Sequence, residues 1–444
     1  MQTWSPTSWL EHTYQQAPLY PDNAQLTDVV EQLSQLPPLV TSGEIKHLKQ
    51  AIARAGRGEV FILQGGDCAE SFADCRSDII ANKFKILLQM SLVLLHGMRK
   101  PIIRVGRIAG QYTKPRSSDV ETIHGITLPS YRGDLVNSPE FTALSRMPNP
   151  HLLLKGYSCA AMTLNFIRAL LDGGFADLHH PHQWDLRFVE HSKQADEYHA
   201  ILNSITNAMD FLKSIDGLQN SNLNNVDFFT SHEALHLHYE QALTRQVRDG
   251  KWYDLSTHLP WIGLRTASKG SAHLEFLRGV HNPVGIKIGP NATSEWLHYV
   301  LNLLNPQREE GRILLISRMG VNHIETHLPP LIDAAKTSGI PVTWSCDPMH
   351  GNTELTADGT KTRHFDTILL ELQRAVTLHR EMNSHLGGVH FELTGDNVTE
   401  CIGGARGLAA GDLKRAYQSL VDPRLNYEQS LEMAIQLCRQ FRAD

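Results

Sequence analysis

The sequence predicts an α/β protein: a (β/α)8 barrel of the TIM type with an N-terminal extension and a long helical insertion between the second and third strands. Two observations carry this expectation. Eight short apolar runs recur along the 444 residues, and each is continuously hydrophobic instead of alternating, as parallel strands covered on both faces are. Most of the runs are separated by stretches long enough for a helix, with apolar residues at helical spacing. Such alternation describes a barrel whose active site forms where the strands end and the loops begin.

In chain order the runs are EVFILQ (59–64), PIIRVGR (101–107), VDFFTS (226–231), LPWIGLR (259–265), PVGIKIG (283–289), RILLISR (312–318), IPVTWSC (340–346) and GGVHFEL (387–393). SDIIANKFKILLQMSLVLLHGM and HFDTILLELQRAVTLHREMNSHL read as helices between them. An open doubly wound sheet is the competing architecture, but no glycine-rich GxGxxG turn supports it. Two parts exceed a minimal barrel: residues 1–58, read as an N-terminal extension, and the segment between the second and third runs, read as a helical insertion over about 118–225 within a catalytic barrel of 59–444. Within the insertion ADEYHAILNSITNAMDFLKSI has a helical pattern and HHPHQWDLRF does not. Additions of this kind regulate, or build subunit contacts.

Lys plus Arg number 41 and Asp plus Glu 47, so the formal charge is 41 − 47 = −6. That balance argues against general affinity for nucleic acid or a membrane surface, so an anionic ligand must be met by local cations. The six cysteines are scattered without a CxxC pair, which fits a reducing compartment. The N-terminus shows no basic segment followed by an apolar core, and no apolar run reaches about 18 residues. The expectation is a soluble, cytoplasmic protein.

What each strand delivers at its C-terminal end divides into two chemistries. Arg107, Lys114, Arg116, Arg265, Lys287 and Arg318 form a group suited to phosphate, because guanidinium forks match phosphate oxygens in pairs and lysine adds point charge. A single arginine is better read as surface; a set closing buried strands is better read as a site. Cys68, His350 and Glu392 form a mixed sulfur, nitrogen and oxygen set, which suits a divalent transition metal better than magnesium or calcium. Taken alone, Cys68 is better read as a small buried hydrophobe and His350 as structural. Arg104, His232, Asp67 and Glu233 also fall at or near strand ends.

With these residues in place the chain resembles the class II 3-deoxy-D-arabino-heptulosonate 7-phosphate (DAHP) synthases. The resemblance runs from WSPTSW (4–9) through LQGGDCAESF, RVGRIAGQYTKPRS, YRGD, TSHEAL, NPVGIKIGP, SRMG, CDPMHGNT, KTRHFD and ELTGDNVTECIGG to DPRLN (422–426). It implies a barrel enzyme of the shikimate pathway that condenses phosphoenolpyruvate with D-erythrose 4-phosphate and releases phosphate. It implies a divalent metal, manganese first and cobalt or another divalent transition metal after it, on Cys68, His350, Glu392 and Asp422. For phosphoenolpyruvate it points to Arg107, Leu264, Arg265, Lys287 and Arg318, and for the aldose phosphate to Lys114, Arg116 and Ser117, with Lys361 and Arg363 as further candidates. Lys114, Lys287 and His350 become the catalytic candidates, and Glu233 and Asp67 candidates to orient water or ligands. A homo-oligomer is implied, feedback by aromatic amino acids through the two added segments is admitted, and so is a chorismate mutase partner.

The chain departs from the family pattern at GLRTASKG, where an acid is usual in place of Leu264 and an arginine in place of Ala267. Val421, where a cysteine is common, leaves ligation untouched. Leu264 keeps two other readings open: a non-catalytic relative that binds phosphoenolpyruvate or an aromatic amino acid, and a synthase for another phosphorylated aldose.

Overall fold

The computed structural model describes residues 3–173, 196, 199–200, 203–204, 206–207 and 227–442. Eight parallel strands close into a barrel in simple sequential order: Phe61–Gly66, Ile102–Arg107, Phe228–Glu233, Leu259–Ile262, Val284–Ile288, Ile313–Ser317, Thr343–Cys346 and Leu386–Glu392. All eight expected runs are strands. The fourth stops early because Gly263 begins a turn, its carbonyl accepting from the N–H groups of Thr266 and Ala267.

Period-two alternation then decides which residues face the interior. Gly66 stands opposite Arg107 on one side and Glu392 on the other, and Lys287 stands opposite Ile316. Below the charged mouth Ile62, Val105, Phe229, Leu314 and Ile316 form one buried apolar cluster. Helix Ser42–Gly56 of the N-terminal extension closes that floor, packing Leu48, Ala51, Ile52 and Ala55 into the same cluster. Its start is fixed by a capping box: Thr41 accepts from the Glu44 N–H while the Glu44 carboxylate accepts from the Thr41 N–H. An earlier helix, Asn23–Gln35, is capped by Asp22 and buries Leu26, Val29 and Leu33.

The helix expected after the first strand spans Ser77–Met98 and the one after the seventh Phe365–Glu381. Ser77–Met98 is long and apolar enough to cross a membrane by length and composition, but most of its apolar window is buried inside the protein against the barrel and helix Tyr427–Arg442. The segment after the second strand opens with an antiparallel hairpin, Val120–Ile123 with Ile126–Pro129, which the helical pattern did not anticipate. Its two-residue turn, His124-Gly125, has positive φ at both positions (49° and 78°), the signature of a type I′ turn. Helix His151–Asp172 follows. HHPHQWDLRF lies outside the described residues, and so does ADEYHAILNSITNAMDFLKSI apart from the single positions given above.

Candidate active site and metal centre

The first strand ends in two glycines, and at the second, Gly66, φ is 144° and an added Cβ would lie 2.6 Å from the Arg107 carbonyl oxygen. Only glycine fits so close an approach, and it lets the chain turn across the barrel mouth to place Cys68. The cysteine Sγ, one ring nitrogen of His350 and one carboxylate oxygen each from Glu392 and Asp422 all lie within 4.8 Å of one another. His350 Nε2 is 2.9 Å from Glu392 Oε1, and Cys68 Sγ is 3.5 Å from Asp422 Oδ2.

The donor chemistry fits a divalent transition metal. One thiol, one imidazole and two carboxylates converge, with sulfur and nitrogen present to disfavour an all-oxygen cation. Asp347, at the end of the seventh strand, lies 2.7 Å from His350 Nδ1. An ionised carboxylate only accepts, so Nδ1 donates to Asp347 and Nε2 to Glu392; a metal in the cluster would take the place of the Nε2 proton, with Asp347 keeping the proton on Nδ1. Burial opposes ionisation of Glu392, but His350, Arg363 and Arg107 outweigh it and hold the carboxyl well below its ordinary range. Asp422 is likewise held low by Lys114 and Arg363 against its burial. Burial and the charge of Glu392 push the Cys68 thiol up, countered by Lys114, whose Nζ is 2.5 Å from both Cys68 Sγ and Asp422 Oδ2. The donor pair thus already draws a cation to itself, and a bound metal would favour the thiolate further.

The residues expected to hold the metal, phosphoenolpyruvate and the aldose phosphate line a single cavity of about 550 Å³, apart from Glu392 and the further candidate Arg363. Glu392 is fully buried at its edge. Arg107 is 2% exposed and is held by the structure: Nε donates to the Asp67 carbonyl (2.8 Å) and Nη2 to the Cys68 carbonyl (3.0 Å) and to Glu392 Oε1 (3.1 Å). It therefore frames the metal centre as well as facing the cavity. Lys287 is 3.0 Å from Asp347 and lies over the Trp261 ring. Burial lowers its pKa, with Asp347 acting against that. Arg318 donates from Nη2 to the His350 carbonyl (3.2 Å), while its buried Nε has no partner among the described residues, as expected of a donor kept for a ligand.

Across the cavity, Arg265 is exposed and Arg116 is held 2.6 Å from Glu121. Gln16 of the N-terminal extension fixes the KPRS loop, accepting from the Arg116 N–H (2.8 Å) and donating to the Arg116 carbonyl (3.1 Å). Leu264 lines the cavity beside Gly289, where an added Cβ would come within 3.3 Å of Leu264 Cδ1. Ala267 is fully buried in the main apolar core, so this position packs instead of carrying charge.

Four of the strand-end and family candidates do not face the cavity. Arg104 points out of the barrel and donates to Ser91 Oγ (2.6 Å). His232 also faces away, 2.9 Å from Glu240. Asp67 turns its carboxylate from the cavity to pair with Lys83 and with Arg424 Nη1 (2.6 Å), since a buried charge requires buried partners. Arg363 is fully buried and reaches Glu392 Oε2 (2.7 Å) and the Pro423 carbonyl (2.5 Å), so it supports two metal-binding segments and does not meet the cavity. Lys361 does line it, 2.9 Å from Asp422 Oδ1, and so does Glu233.

The sequence reading gave no role to Asp347, Trp261, Lys83, Glu400 or Arg424. Arg424 joins Asp67 to Glu400, and Glu400 accepts from the N–H groups of Gln418 (3.2 Å) and Ser419 (2.9 Å). The network ties the Cys68 segment to the Asp422 segment, though 354 residues separate these two ligands. A lysine inside the apolar pattern of Ser77–Met98 was the one local signal for it.

Comparison with known proteins agrees with this geometry. The model of the Class-II DAHP synthetase family matches residues 4–438. A phospho-2-dehydro-3-deoxyheptonate aldolase of Streptomyces coelicolor is 45% identical over 436 residues, covering 98% of this chain and 97% of the relative. One of the same name from Neurospora crassa is 43% identical over 458 residues, covering 99% and 95%. The match spans both the barrel and the segments that supply all four ligand candidates, and the chain belongs to the Class-II DAHP synthetase family.

Proposed function

We propose a division of labour at the barrel mouth for the DAHP synthase reaction, in which phosphoenolpyruvate, D-erythrose 4-phosphate and water give 3-deoxy-D-arabino-heptulosonate 7-phosphate and phosphate. Its family makes the chain a DAHP synthase, a transferase of the first step of the shikimate pathway. The observation that carries the residue-level reading is the convergence of four ligand atoms beside two groups of cations in one cavity.

Arg107, Arg265, Lys287 and Arg318, with the main chain at Leu264, hold phosphoenolpyruvate; the unpartnered Arg318 Nε is a donor aimed at its anionic groups. Lys114, Arg116 and Ser117 hold the erythrose 4-phosphate end. Cys68, His350, Glu392 and Asp422 hold the metal, manganese by preference and cobalt or another divalent transition metal as substitutes. Bound there, the metal supplies a Lewis acid for the aldehyde oxygen of erythrose 4-phosphate.

The cationic residues restrain both substrates so that C3 of phosphoenolpyruvate meets C1 of the aldose at reacting distance. The new carbon–carbon bond forms there, water adds at C2, and C–O cleavage of the hemiketal phosphate releases phosphate. Asp347 fixes the His350 Nδ1 proton, so we assign proton delivery at the aldehyde oxygen to Lys114 Nζ. Lys287, its pKa lowered by burial, serves at the phosphoenolpyruvate side. Leu264 brings no carboxylate, so its contribution is backbone and apolar contact. A homo-oligomer in the cytoplasm, with chorismate mutase as a candidate partner, completes the reading.

The test is phosphoenolpyruvate consumption by the purified full chain after chelation and again with manganese restored, with and without erythrose 4-phosphate. Consumption that needs both additions and disappears in Cys68→Ala supports the reading. A folded, metal-loaded protein that consumes none sinks it.

A further inference from the structure

Helix Phe365–Glu381 packs against helices Ile324–Ser338 and Tyr427–Arg442 and against the eighth strand, and buries Phe365, Ile368, Leu372, Ala375 and Val376. Glu371 interrupts that apolar face: it is fully buried, and no hydrogen bond or ion pair joins it to a cationic side chain among the described residues. Its carboxylate is shared between two loops. Oε1 accepts from the N–H groups of Met319 (3.0 Å) and Gly320 (3.0 Å), just past Arg318. Oε2 accepts from Asn352 Nδ2 (2.5 Å), two residues past His350.

The loops also meet each other directly. Asn352 Oδ1 accepts from the Val321 N–H (2.9 Å), and Arg318 donates to the His350 carbonyl (3.2 Å). An added Cβ on Gly351 would lie 2.3 Å from the Gly320 nitrogen, so the two backbones are in contact. Gly320 has φ of 84°, a left-handed turn. An acid in such a place is costly, and burial raises it to about 7. An apolar residue there would leave the Met319 and Gly320 N–H groups and the Asn352 amide without this acceptor, so it is the acid that joins the two loops.

We propose that Glu371 is a positioning residue that locks Arg318 to His350 and so makes phosphoenolpyruvate and the metal bind interdependently. The proposal rests on the reading of Arg318 as a phosphoenolpyruvate residue and His350 as a metal ligand. Placing one ligand fixes its loop, and through the shared carboxylate fixes the other; by linkage the effect is equal in both directions.

Glu371→Gln separates this role from simple loop support. The amide keeps a carbonyl oxygen for Met319 and Gly320 but turns an NH2 group toward the Asn352 NH2, cutting the staple at one arm. Asn352→Ala cuts the same arm from the other loop and serves if the glutamine variant folds poorly. Phosphoenolpyruvate binding to the full chain, without erythrose 4-phosphate, is titrated calorimetrically above pH 7, where Glu371 is ionised, with manganese present and after chelation.

The wild type is expected to bind phosphoenolpyruvate roughly tenfold tighter with manganese, within the usual range of coupling. In the variants that ratio should fall to about two- to threefold, with melting behaviour close to wild type. A wild-type ratio near one, or a ratio retained in both variants, overturns the coupling while leaving the substrate reading intact. A wild type that binds no phosphoenolpyruvate in either state overturns both.

Discussion

At the floor of the barrel Ile62, Val105, Leu314 and Ile316 pack against Ala51, Ile52 and Ala55. At the mouth, only two residues beyond Val105, stands Arg107, with Glu392, Lys287 and His350 around it. The floor is apolar and closed by the helix Ser42–Gly56; the mouth is charged and open. Burying apolar surface stabilises at about 25 cal/mol per Å², whereas burying charges costs more than it returns unless each has partners. Hence Glu392 is surrounded by Arg107, Arg363 and His350, and Asp67 by Lys83 and Arg424. The same strands carry stability at one end and chemistry at the other, so mutations at the two ends should separate folding from turnover.

The largest effect belongs to the mouth. Cys68→Ala should lower manganese-dependent turnover more than about 100-fold, beyond the usual cost of disturbing an outer partner, while thermal melting stays close to wild type. Phosphoenolpyruvate loss beside a melting curve checks this. Arg424→Ala leaves every ligand in place but cuts Asp67 from Glu400, and should weaken manganese affinity by about 10- to 100-fold in a direct metal titration. An unchanged affinity would mean that the network only supports the fold.

The floor should behave in the opposite way. Ile52→Ala should cost about 2–4 kcal/mol in denaturant unfolding while kcat is retained, because Ile52 belongs to the apolar floor cluster, which holds none of the site residues. Thr41→Ala removes the cap of the closing helix and should cost about 1 kcal/mol, again without kinetic effect. A turnover loss in either variant, in protein still folded at assay temperature, would break the separation.

Glu371 lies between these behaviours and sharpens the comparison. Burial raises its pKa from 4.5 to about 7, so between those values the folded chain keeps a proton that the unfolded chain has released. Stability from this group is therefore present below about pH 4.5 and declines as pH rises toward 7. Glu371→Gln should flatten that part of the pH dependence in denaturant unfolding between pH 5 and about 7.

How much of this was legible in the sequence follows the same division. The strands were plain because continuous apolar runs are what double burial demands, and eight of them define closure. Cys68, His350 and Glu392 could be read from strand ends. Asp422 could not, because it lies past the last strand and enters the cluster on a loop held by Glu400 and Arg424; only the family resemblance pointed to it. Arg104 and His232 misled because a strand end says nothing about which face a side chain takes, and one residue of register reverses it. The hairpin was hidden because its exposed strands carry no burial pattern, although His124-Gly125 marks the turn. Partners such as Lys83 and Glu371 appear in sequence only as isolated charges in apolar helices, and their counterparts come from distant segments.

The central claim is that one thiolate, one imidazole and two carboxylates hold a single divalent metal at the barrel mouth. Its most direct test is the absorption spectrum of the chain loaded with one equivalent of cobalt(II), in the wild type and in Cys68→Ala. The account predicts a thiolate-to-cobalt charge-transfer band in the wild type that is absent from the variant. A wild type that binds cobalt without that band, or a variant that retains it, would contradict the account.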